Sequence, residues 1–207
     1  MKYPVKAIFG GLMGNIVEAY DSAICYYLAT ELNLYLMGND GSKPTTILFI
    51  VFLGYLAKPL GAFLLGLFSD VYGRKNVLAA SILIMGGATT LIGFIPGYAS
   101  IGLASADLLL IFRMIQSMAM GSEFLNSASF LVESGDPATR GFRGCWSSVG
   151  VKAGYFVACV VIEFLHWIGK TQGGHEWLWR IAFILAAFTT VIGFYIRYTM
   201  PESLAYV

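Results

Sequence analysis

The stretch GLFSDVYGRK, residues 66–75, sets an Asp, an Arg, a Lys and two glycines between two of the most apolar parts of a chain that is 57% hydrophobic and 12% charged. Its surroundings decide how it is read. A mean hydropathy of +0.72 over 207 residues, with 15% aromatics, exceeds what a water-exposed surface permits. A bilayer core of roughly 30 Å takes about 20 mostly apolar helical residues per crossing. Runs of that kind cover about 7–32, 45–68, 77–95, 107–132, 142–167 and 177–200. No segment alternates apolar and polar residues as a membrane β-barrel requires. The expected fold is all-α and polytopic, a single six-helix transmembrane domain over 1–207, and the polar stretch is the hairpin between its second and third crossings.

Glu18 and Asp21 inside the first run, with no small-residue cleavage site, argue for a retained helix and not a leader peptide. Lys2, Lys6, Arg74, Lys75, Arg140, Arg143 and Arg197 fall on the side of the N-terminus, against Lys43, Lys170 and the nearby Arg180 on the other. The positive-inside rule then places both termini in the cytoplasm. A net charge of +1 gives no footprint for nucleic acid. Cys25, Cys145 and Cys159 are expected as free thiols, and no Cys/His spacing forms a metal site. The sequence implies no cofactor and no enzyme, because the short loops hold neither a nucleophile nor an acid/base pair. Trp167, Trp177 and Trp179 fit an interfacial belt, Glu163 and His166 headgroups or water, and Gly150 and Gly154 a close-packing face.

Charges inside the spans cost about 2.5–3.5 kcal/mol each at a helix centre and are functional by default. On a rise of about 1.5 Å per residue, Glu18 and Asp21 lie roughly 17 and 21 Å along the first helix, and Arg113 reaches the height of Asp21 from the opposite end. Lys58, Glu123 and Lys152 also fall near the middle. Three acids thus face three bases, a set able to stay neutral while gaining or losing one proton. Glu18 and Asp21 either couple protons or bind substrate, or else lock helix 1 to Arg113. Arg113 either orients an anionic group or pairs with an acid. Gln116 and Glu123 share a face that lines a cavity or holds a helix contact. Lys152 is either a substrate-carboxylate ligand or a counter-ion for Glu123.

The order of residues in 66–75 carries more. Gly66, Asp70, Gly73, Arg74 and Lys75, with Phe68 in place of the usual Leu, resemble the loop between helices 2 and 3 of the major facilitator superfamily. NIVEAYDSAICYY (15–27), KPLGAFLLG (58–66), RMIQSMAMGSE (113–123), ESGDPATRGFRG (133–144), WRIAF (179–183) and MPES (200–203) resemble its metabolite:proton symporter branch, which includes proline/betaine, oxoglutarate, citrate and shikimate carriers. Lys58 replaces an Arg, and Ser117 and Ser122 replace glycines. Tyr155 stands after Gly154 where an antiporter signature has Pro, which favours symport. The resemblance implies two inverted three-helix repeats and an inside latch of Gly66, Asp70, Gly73, Arg74, Lys75 and Glu133. Gly66 is expected to allow close helix approach and Gly73 to supply the turn. It also implies proton-coupled symport of a small zwitterionic or carboxylate metabolite in a bacterial inner membrane.

Such transporters have two six-helix halves, so one half is expected here, its open face covered by a second half or by a second copy of this chain. A non-transporting membrane module that keeps the fold and dimerises is the other expectation.

Overall fold

The computed structural model describes residues 4–38, 44–121, 123–133, 137–172 and 175–199. Among the described residues all regular structure is helical, and it forms six rods. The first rod is α1 (Pro4–Tyr27) and α2 (Ala29–Met37), which bend at Leu28 with the ladder intact: Leu28 N–H bonds Ile24 O and Leu32 N–H bonds Leu28 O, both at 2.9 Å. The second is α3 (Pro44–Tyr55) and α4 (Lys58–Tyr72). Pro59 has no N–H for the Tyr55 carbonyl and its ring would strike it. The rod breaks there through two tighter bonds, Leu56 to Leu53 and Ala57 to Gly54, each 3.1 Å.

Gly73 alone joins α4 to α5 (Arg74–Gly93), the third rod, at φ 86°. That left-handed conformation suits glycine, so this glycine supplies the turn the sequence asks of it. The fourth rod follows a short α6 (Tyr98–Ile101) and consists of α7 (Ala104–Met120) and α8 (Glu123–Glu133). A 3₁₀ turn, Pro137–Thr139, leads into α9 (Arg140–Gln172), and α10 (His175–Tyr198) is the sixth rod.

Thr45–Ser69, Asn76–Gly93, Arg140–Lys170 and Leu178–Ile196 are long and apolar enough to cross a membrane. The first rod is diluted by Asn15, Glu18 and Asp21, and the fourth is interrupted after Met120. These two rods hold the buried charges, and their neighbours shield them.

The packing shows the repeat. The first rod lies along the fifth, the fourth along the second and the third along the sixth, while the first also touches the sixth and the fourth the third. Exchanging rods one with four, two with five and three with six maps these contacts onto themselves, as inverted three-helix repeats demand.

Small residues let the paired rods approach. A Cβ on Gly150 would sit 2.8 Å from Leu12 O, and one on Gly154 2.6 Å from Ala19 Cβ. Opposite them in the pseudo-symmetry, a Cβ on Gly54 would sit 2.8 Å from Arg113 Cβ, and one on Gly61 would overlap the Met118 backbone. Gly66 departs from expectation: a Cβ there would meet nothing within 4 Å. Gly61, on the side of the rod that faces α7, and Gly121, at the end of α7 itself, make the close approach instead.

Two apolar clusters divide the interior. The larger fills the end holding α2 and α6, the distal end, with Ile24, Leu28, Leu32, Ile92, Leu109 and Phe183. The smaller, Val17, Met85, Ala119 and Met120, lies toward the end that carries Pro4 and Gly73, the terminal end. Trp179, expected at an interface, is 3% exposed and packs on Tyr35 and Phe183, because it points into the bundle near the start of its rod. Trp167 is exposed as expected, and Trp177 lies outside the described side chains.

Candidate functional site

Between the two apolar clusters lies a polar layer. Asp21, Thr89, Arg113 and Gln116 are all fully buried there. Arg113 Nη1 donates to Gln116 Oε1 at 2.5 Å, one turn along α7, and Gln116 Nε2 donates to Thr89 Oγ1 at 2.7 Å and to Asp21 O at 3.3 Å. Thr89 Oγ1 lies 3.1 Å from Asp21 Oδ2 and 2.9 Å from Met85 O. A relay Arg113–Gln116–Thr89–Asp21 therefore links the fourth, third and first rods. It places amide and hydroxyl between the cation and the anion where the sequence places the two charges face to face.

Among the described residues, Asp21 Oδ1 and Arg113 Nε and Nη2 have no hydrogen-bond partner. Buried guanidinium N–H groups without acceptors are unfavourable unless a ligand meets them. The fork they form suits a carboxylate.

An aromatic face borders this layer. The Tyr55 ring, at the break before Pro59, lies 5.6 Å from Arg113 Cζ and 5.8 Å from Lys58 Nζ, within reach of cation–π attraction. Tyr26 stacks on Tyr55 with centroids 6.3 Å apart. Lys58 Nζ also stands 3.7 Å from Glu18 Oε1; the carboxylate is buried and the lysine half-exposed. Tyr155 of α9 lies close enough to Tyr55, Tyr27 and Glu18 to interact with them electrostatically. The rim of this face is open, since Tyr26 and Tyr27 are 41% and 45% exposed.

The remaining charges lie apart. Glu123 Oε2 accepts the Ser81 hydroxyl at 2.7 Å near the terminal end, and Asn15 donates to Ser147 Oγ at 2.9 Å. Lys152 is exposed. Among the described residues, Glu18 meets Lys58, Asp21 meets Arg113 through two neutral side chains, and no ion pair joins Glu123 to Lys152. His166, expected to reach headgroups or water, is partly exposed and bonds Glu31 Oε1 through Nε2 at 2.8 Å, while Glu163 is exposed. The latch residues Asp70, Arg74, Lys75 and Glu133 lie outside the described side chains.

Sequence reasoning missed Thr89, Ser81, Tyr26, Tyr55 and Tyr155. Tyrosines at 26, 27, 55 and 155 share a level only once the rods are packed. A threonine in an apolar helix ordinarily bonds its own i−4 carbonyl and carries no signal.

Residues 5–207 match the family model described as sugar (and other) transporter. The chain is 34% identical over 203 residues to a proline/betaine transporter of Salmonella typhimurium, covering 97% of this chain and 41% of that protein. It is 31% identical to the inner membrane metabolite transport protein YhjE of Escherichia coli, covering 96% of this chain and 46% of that one. The chain thus spans less than half the length of these relatives. Among solved structures, the inward-open xylose transporter XylE from E. coli superposes with a TM-score of 0.80 at 19% identity, over 99% of this chain and 49% of the other. A proton:xylose symporter XylE structure of the major facilitator superfamily, bound to 6-bromo-6-deoxy-D-glucose, gives 0.85 at 17%, over 99% and 46%. At these identities the likeness is one of fold.

Proposed function

The chain belongs to the sugar (and other) transporter family of the major facilitator superfamily, and from that premise we propose that it forms one half of a proton-coupled symporter for a small zwitterionic or carboxylate-bearing metabolite. The observation that carries this reading is the buried relay from Arg113 to Asp21. With Asp21 ionised, the Arg113 charge is compensated within the layer. With Asp21 protonated, the guanidinium stands uncompensated between apolar clusters, and an anionic substrate group on its free N–H edge restores neutrality. Proton and carboxylate then favour one another's binding, and reciprocally so, which is the thermodynamic core of symport. The rings of Tyr26, Tyr55 and Tyr155 beside Glu18 supply a surface for the other, cationic or apolar, end of the substrate.

The open rim is closed in this proposal by a second six-helix half or a second copy of the chain, whose rocking alternates access. The Lys/Arg distribution supports cytoplasmic termini, and the bacterial relatives support an inner-membrane location.

Uptake of labelled osmolytes and organic acids into proteoliposomes under an imposed pH gradient tests the proposal. Asp21→Asn should abolish dependence on the gradient. Arg113→Ala should lower uptake of a carboxylate substrate by more than about tenfold, as loss of a charge-assisted hydrogen bond of about 1.5–3 kcal/mol implies. Folded protein without gradient-driven uptake would favour the non-transporting module.

A further inference from the structure

Thr89 holds a position that an ordinary helix threonine does not. Its single hydroxyl hydrogen has two acceptors in range, Met85 O at 2.9 Å and Asp21 Oδ2 at 3.1 Å, while its oxygen already accepts from Gln116 Nε2 at 2.7 Å. A hydroxyl offers one donor and two acceptor sites, so it satisfies only one of those acceptors at a time. We propose that Thr89 is a positioning residue, a hydroxyl rotor that keeps Asp21 Oδ2 hydrogen-bonded in both protonation states of Asp21. The inference rests on the coupling role given to Asp21 above.

The proton accounting fixes both states. When Asp21 is a carboxylate, the Thr89 hydrogen points to Oδ2 and Met85 O keeps its helical partner alone. A proton arriving from the open face converts the carboxylate to a carboxylic acid. On Oδ2 that O–H has Thr89 Oγ1 in range, whereas Oδ1 makes no hydrogen bond among the described residues. The acid then donates to Thr89, filling the oxygen's second acceptor site, and the Thr89 hydrogen turns to Met85 O. No heavy atom moves, no bond other than the O–H of the acid is made, and neither the Thr89 hydrogen nor the acid hydrogen is stranded in either state. The charged groups facing Asp21 are Arg113 from α7 and Glu18 from its own helix, the latter held by Lys58; Thr89 is what α5 presents. Two-way adaptability at this point comes from the hydroxyl, because the Gln116 amide has its oxygen committed to Arg113 and its nitrogen to Thr89 and Asp21 O.

Infrared difference spectroscopy of the full chain in lipid nanodiscs, stepped in pH, reads this directly. Asp21→Asn assigns the carbonyl band of the protonated acid. Thr89→Ser keeps the rotor and should leave that band where it is. Thr89→Val preserves shape but removes the hydroxyl, so the band should shift to higher wavenumber, as for an acid that has lost its hydrogen-bond partner. Thr89→Cys, a weak donor and acceptor, should fall between them and carries the test if Thr89→Val does not fold. A band unmoved by Thr89→Val or Thr89→Cys overturns the rotor while leaving proton coupling standing. Absence of any Asp21-dependent band across the tolerated pH range overturns the coupling role of Asp21 and the rotor with it.

Discussion

At the scale of single residues, the polar layer separates groups that hold the protein together from groups that are merely near one another. Gln116 is fully buried and bridges a cation, a hydroxyl and a backbone carbonyl. Gln116→Leu leaves each of them without that partner and should lower stability by about 1–3 kcal/mol, seen as an earlier thermal transition in detergent. Lys58 is different, since its side chain is 35% exposed and its contact with Glu18 is 3.7 Å long. Lys58→Met should change stability by no more than about 1 kcal/mol, because solvent screens such a pair. Equal effects from the two substitutions would contradict the layered picture. The charges were legible in the sequence because ionised residues stand out in an apolar run, and Asp21 and Arg113 do fall at one depth. What joins them was not legible. Thr89 looks like any helix threonine until Asp21 and Gln116 are brought against it from two other rods.

The elements are held by close seams. At Gly61 an added methyl would run into the Met118 backbone, which has no rotamer to yield. Gly61→Ala should therefore destabilise by about 1–3 kcal/mol, the range for overpacking. Gly66→Ala should be neutral or stabilising by up to about 1 kcal/mol, since nothing opposes the methyl and alanine prefers helix. Thermal melts of the two variants decide the point. In the third seam, a Cβ on Gly86 would overlap the Thr190 side chain. Thr190→Ala should consequently recover part of the stability that Gly86→Ala loses, and a double-mutant cycle measures how much. The glycine spacing at 150 and 154 announced its seam, because a four-residue interval keeps one helix face small. Gly66 sits at a similar distance from Gly61 but on another side of the rod, and membership of a loop motif gives no helical phase. The break at Tyr55 follows from Pro59 alone, though its consequence, an aromatic ring carried beside Arg113, depends on packing.

For the whole molecule, composition and run length were enough to reach a six-rod membrane fold, because the bilayer admits so few alternatives. Length does not say what covers the open face. If a second copy serves, crosslinking and mass determination in detergent should return a pair of chains joined through the face bearing Tyr26, Tyr27 and Lys152; a population of monomers alone would leave that role to a different six-helix half. The two apolar clusters on either side of the polar layer carry a further implication. Among the described residues they flank Asp21 along the bundle axis, while the side of the layer where Tyr26, Tyr55 and Lys58 stand is the exposed one, so in the proposed coupling the proton is expected to arrive sideways, across that rim. On the proposed coupling, which compartment charges the carboxylate is then decided by the tilt of whatever lies across that rim.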